Sequence, residues 1–219
     1  MFRSASDGRG NGWAVDYPRA DLNFPFRLGQ YTVTPINRDT HNEPKHMVVA
    51  PDDDRLFECP FVMMTEVGRA IFTTGEAAAL RAYLQKGGFL WADDFWGEYA
   101  WQVWARAIGQ VLPEYSFVDL PMSDPLFHMF FEIDQVPQIP SMDFLLRSGG
   151  QTSERGADSR EPHARAIFDE TGRMLVLNTH NTDIGDSWER EGDNREYFDR
   201  FASDGYAFGI NAYMYAMTH

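Results

Sequence analysis

Residues 60–94 read PFVMMTEVGRAIFTTGEAAALRAYLQKGGFLWADD, and this stretch decides the fold. Pro60-Phe61-Val62-Met63-Met64-Thr65 is a continuous apolar run of strand length, the kind buried on both faces of a parallel sheet. Thr73 and Glu76 have the spacing of a capping box, in which each side chain closes an orphan N–H of the first helical turn. Good helix formers follow from Ala77 to Lys86, and Gly87-Gly88 supplies the left-handed turn that ends a helix. Phe89-Leu90-Trp91-Ala92 is the second strand. Strand, helix and strand within about thirty residues make a βαβ unit, which implies parallel strands and a right-handed crossover.

The rest of the chain extends this pattern. Upstream, Arg19 to Gln30 suits a helix bent or broken at Pro25, and Lys45 to Ala50 holds a short strand around Met47-Val48-Val49. Asp52 to Glu58 is polar and holds at most one helical turn. Downstream, helices are expected over Tyr99–Val111 and Gly205–Met217, and strands over Ser116–Leu120, Ala164–Phe168 and Arg173–Asn178. This alternation predicts an α/β fold with an open, doubly wound, mostly parallel sheet and helices on both faces. Residues 1–18 read as irregular, and residues 147–161 as the one long loop, a candidate lid or binding loop. With no linker and no repeat, a single domain over residues 1–219 is expected.

Composition narrows the function. Of 219 residues 43% are hydrophobic, enough for one sizeable core. Acidic residues outnumber Lys and Arg 33 to 19, and a charge of −14 repels phosphate backbones and anionic membranes alike. Nucleic acid is therefore not an expected partner. The apolar runs are too short to span a bilayer, so no membrane insertion is expected. Met1 to Ser6 shows no apolar core of a signal peptide. Cys59 is the only cysteine, which rules out an internal disulfide. Without a Gly-rich phosphate loop there is no case for a nucleotide cofactor, and without a G-x-S-x-G elbow none for a serine hydrolase.

Several segments resemble one family. They are Gly12-Trp13 with Asp16-Tyr17-Pro18, Tyr83-Leu84 ahead of the double Gly, and Gly87-Gly88-Phe89-Leu90-Trp91-Ala92-Asp93-Asp94. Asp124-Pro125-Leu126-Phe127-His128 belongs with them, as does Thr179-His180-Asn181-Thr182-Asp183-Ile184 with Trp188-Glu189. Together they resemble the bacterial "domain of unknown function 4159" proteins over nearly the whole chain. That resemblance implies a class I glutamine amidotransferase-like, or flavodoxin-like, architecture. In amidotransferases proper a nucleophilic cysteine sits on a sharp turn after a central strand, and a histidine follows a later strand. Here the elbow position falls to an aspartate, Asp94, and His180 stands where the histidine is expected. A carboxylate at the elbow cannot form a thioester, so a glutaminase reaction is excluded. Members of the family often carry export signals, which leaves localisation open.

Ligands of open α/β sheets bind at the strand carboxyl ends, where Asp93, Asp94 and His180 are expected. Three chemistries compete for this site. Asp94, His180 and Asp183 could hold a divalent metal that activates water for hydrolysis. In metal-free hydrolysis Asp94 at the elbow could instead be a nucleophile, or share a proton with Asp93 so that one acts as acid and the other as base, with His180 activating water. In the third reading the domain only binds a small molecule, carbohydrate or protein, through Trp96, Asp183, Trp188 and Glu189 around an acidic site. An exposed Trp or Tyr beside the long loop would favour binding, and consumption of the Asp pair by backbone N–H groups a structural role.

Overall fold

The computed structural model describes residues 12–219, so the expectation for residues 1–11 lies outside the described part. The chain begins with a turn of 3-10 helix at Gly12–Ala14, followed by α1 (Arg19–Tyr31), which runs through Pro25 without a break. The βαβ unit follows as expected: β1 (Phe61–Thr65), α2 (Thr74–Gln85) and β2 (Phe89–Asp93). Thr73 and Glu76 do form a reciprocal capping box, with N–H contacts of 2.8 and 3.2 Å. The positive φ of 108° at Gly87 ends the helix.

Then come α3 (Gly97–Val111), β3 (Phe117–Asp119), α4 (Met142–Ser148), β4 (His163–Phe168) and β5 (Met174–His180). The chain closes with α5 (Ile184–Glu189), α6 (Arg195–Tyr197), a π-helical turn at Phe198–Ala202 and α7 (Ser203–Thr218).

One open five-stranded sheet results, in the order β1-β2-β5-β4-β3. Its β1-β2 and β2-β5 pairs are parallel, but β5-β4 and β4-β3 are antiparallel. The expected mostly parallel sheet is thus parallel in only one half. The reason is local: β4 and β5 are joined by a turn closed by Gly172 N–H on the Asp169 carbonyl. A connection that short can reverse the chain but cannot carry a crossover. A second correction concerns Lys45 to Ala50, where Val49 is buried but the segment forms no strand of the sheet.

Helices cover both faces. Phe89 and Trp91 of β2 pack with α1, α5 and α7, while Leu90 and Ala92 pack with α2 and α3. Trp91, Leu90 and Trp104 are fully buried, and each large apolar side chain so placed contributes about 1.5–3 kcal/mol. The long loop expected over residues 147–161 begins only after α4, which runs to Ser148; it carries a 3-10 turn (Gly156–Ser159) and is tied to the end of β5 where Asn181 Nδ2 donates to the Glu161 carbonyl.

Candidate functional site

The parallel strands β1, β2 and β5 end side by side, and each passes into a non-glycine residue with positive φ. These are Glu66 (51°), Asp94 (53°) and Asn181 (63°). Backbone of this kind persists only where surrounding contacts hold it. At Asn181 those contacts are visible. Its N–H donates to the Phe95 carbonyl (2.9 Å), its Oδ1 accepts from Gly97 N–H (2.8 Å), and its Nδ2 donates to the Glu161 carbonyl (2.8 Å). The elbow after β2, the end of β5 and the long loop are therefore tied together.

Beyond Asn181, Asp183 caps α5 by accepting the Asp186 N–H at 2.9 Å. Gly185 N–H donates to Asp93 Oδ2 (3.0 Å), which docks the start of α5 against the end of β2. Asp93 Oδ1 takes the Thr179 hydroxyl. With no exposed surface and both oxygens engaged, Asp93 is a structural brace. Burial pushes its carboxyl up to about 7, against the pull of those hydrogen bonds.

Asp94, one residue on, is only partly buried and accepts the Trp96 indole N–H at 3.0 Å. It lines a groove of about 350 Å³ together with Glu66, Arg69, Trp96, Tyr99 and the loop residues Glu154, Arg155 and Asp158. Tyr99 is 77% exposed at its rim. Desolvation, with the charges of Glu66 and Asp93, holds the Asp94 carboxyl well above the ordinary carboxylate range.

A second acidic group lies at the start of α5. One carboxylate oxygen each from Asp16, Asp183 and Asp186 lie within 4.8 Å of one another, and all three residues are buried. Burial, then the neighbouring carboxylates with Asp94 foremost, raises the Asp16 and Asp183 carboxyls well above their usual range. Burial also raises Asp186, which accepts Met142 N–H (2.7 Å) and the Tyr197 hydroxyl (2.9 Å) on Oδ2. The Asp94 charge acts on Asp16 and Asp183, and the charges of Glu66 and Glu154 act on Asp94.

His180 lies elsewhere. Successive strand residues face opposite sides, so Thr179 reaches Asp93 while His180 turns towards α3. Its Nε2 contacts the Gly97 carbonyl (3.1 Å), Arg165 reaches its Nδ1 (3.3 Å), and its ring stacks on Phe95. Burial pushes this imidazole down to about 4. Of the expected metal set, Asp183 alone joins the acidic group. Trp188 is buried and stacked on Phe24 with centroids 4.4 Å apart, and Glu189 is buried and ion-paired with Arg190 at 2.5 Å. Burial raises the Glu189 carboxyl to about 7. Trp96 does line the groove.

Sequence reasoning missed Asp16 and Gly185 as site residues and gave Asp186 no role. Asp16 was visible only within the Asp16-Tyr17-Pro18 segment.

A family model described as a domain of unknown function (DUF4159) matches residues 4–217. No curated protein matches the chain. No described helix is long and apolar enough to cross a membrane.

Proposed function

The chain belongs to the DUF4159 family, and we propose that it is a single ligand-binding domain taking a polar ligand, carbohydrate or peptide in class, at the strand carboxyl ends around Asp94. One observation carries this reading. Tyr99 is 77% exposed on a groove lined also by Glu66, Arg69, Asp94 and the long loop. An aromatic face held in water next to carboxylates and the guanidinium groups of Arg69 and Arg155 suits a ligand with both rings or apolar edges and many polar groups. An amidotransferase-like ancestry is supported by the left-handed Asp94 at the strand-to-helix elbow.

The same elbow favours a second reading, metal-assisted hydrolysis with Asp94 as general base. In that case Asp94 acts without His180, both of whose ring nitrogens are engaged.

Ligand-observed NMR with a panel of neutral and acidic oligosaccharides and a panel of short peptides tests both readings on the native chain, Tyr99→Ala and Asp94→Asn. Binding by the native protein, weakened at least about tenfold in both variants, is the expected result. Product signals appearing with time would favour the hydrolase. Silence from both panels, or equal binding by native protein and Tyr99→Ala, sinks the reading.

A further inference from the structure

We propose that Asp16, Asp183 and Asp186 form a site for one hard divalent cation of the Mg²⁺ or Ca²⁺ class. The inference concerns the buried acidic group at the start of α5 and stands apart from the groove reading.

Four observations carry it. First, the three donor oxygens lie within 4.8 Å of one another. Oxygens facing each other across a cation at about 2.1–2.4 Å stand about 4.2–4.8 Å apart, so the spacing fits a shared ion. Second, Asp16 is 2% exposed and its Oδ2 is buried without a hydrogen-bond donor among the described residues. A buried carboxylate oxygen left so costs stability unless something positive meets it. Third, Gly185 leaves the space: a β-carbon there would stand 2.7 Å from Asp16 Oδ2 and 3.6 Å from Asp183 Oδ1. Fourth, the protein supplies little countercharge. Arg190 reaches Asp186 Oδ1 at 3.4 Å, and among the described residues no lysine or arginine bonds Asp16 or Asp183.

The donor set is all oxygen, which selects a hard ion over Zn²⁺ with its preference for imidazole and thiolate. The ion would clamp residue 16 onto the beginning of α5.

The test uses the full chain, dialysed against chelator and then titrated separately with Mg²⁺, Ca²⁺ and Mn²⁺ by calorimetry and thermal unfolding. One ion per chain is expected, with a rise in Tm of roughly 5–10 °C at a hundredfold excess over Kd. Asp16→Asn should bind at least about a hundredfold more weakly, while its ion-free Tm equals or exceeds that of the native chain. If Asp16→Asn fails to fold, Asp183→Asn takes its place, because the Asn oxygen can still cap α5. A native chain that binds no ion overturns the proposal, as does a folded ligand variant that binds as tightly as the native protein. The groove reading fails separately, through Tyr99→Ala, which leaves cation binding intact.

Discussion

Gly185 lies so close to Asp16 that a β-carbon on it would stand 2.7 Å from the Asp16 Oδ2 atom. That close approach sets the first prediction. Gly185→Ala should improve helix propensity in α5, yet it must push Asp16 away or shift the helix. Overpacking of this kind costs about 1–3 kcal/mol. Urea unfolding should show a net loss of stability in chelator, and the response to divalent cations should be weaker than in the native chain. An alanine variant with native stability and native cation response would show that Asp16 can move freely.

Asp93 and Asp94 should separate cleanly under mutation. Asp93→Asn sets an amide group against two donors, the Gly185 N–H and the Thr179 hydroxyl, so one of them loses its acceptor. A loss of about 1–3 kcal/mol is expected. Asp94→Gly relieves a left-handed aspartate at φ 53° and should leave stability unchanged or raise it by about 1 kcal/mol, while abolishing ligand capture in the groove. Denaturant midpoints that fall equally in both variants would mean that Asp94 is a brace as well.

On the other face of the sheet, Trp104 Nε1 donates to Asn178 Oδ1 at 2.6 Å, and both residues are fully buried. Trp104→Phe should cost about 2–4 kcal/mol, from the orphaned amide oxygen and the space left behind. A double-mutant cycle with Asn178→Ala should return a coupling of about 0.5–3 kcal/mol. Additive losses would assign the cost to packing alone.

The βαβ unit was legible because its signals are local: an apolar run, a capping box three residues wide and a double glycine. The antiparallel half was legible in principle. Phe168 and Met174 stand too close in sequence for a crossover, and alternation alone misled. The strand expected near Val49 failed because burial without a ladder looks the same as a strand over a few residues. Tyr99 sits on a helix otherwise built from core aromatics, and only the structure shows that it points into water. Asp16 could not be placed, because it lies in a stretch without period and meets Asp183 and Asp186 only through the fold. His180 was correctly set at the end of β5, but which face it takes is decided by strand alternation, one residue either way.

His180 gives a pH prediction with a definite sign. Its imidazole, 4% exposed, is pushed by burial down to about 4, from about 6.5 in an unfolded chain. Between those values the unfolded chain binds the proton and the folded one does not. The stability that neutral His180 contributes is therefore present above pH ~6.5 and is lost as pH falls towards 4. The buried carboxyls act in the opposite direction: Asp93 and Glu189, raised to about 7, favour the folded state when protonated and lose that contribution as pH rises. Only a difference isolates the histidine. His180→Gln can still donate to the Gly97 carbonyl and accept from Arg165, but it does not titrate. Urea unfolding of both proteins at pH 7.5 and 4.5, in chelator, should show the native chain losing on the order of 2 kcal/mol relative to the variant. Curves that stay parallel across that range would mean that His180 gains its proton without leaving the fold, and that the packing against Phe95 is looser than the 4.9 Å ring separation implies.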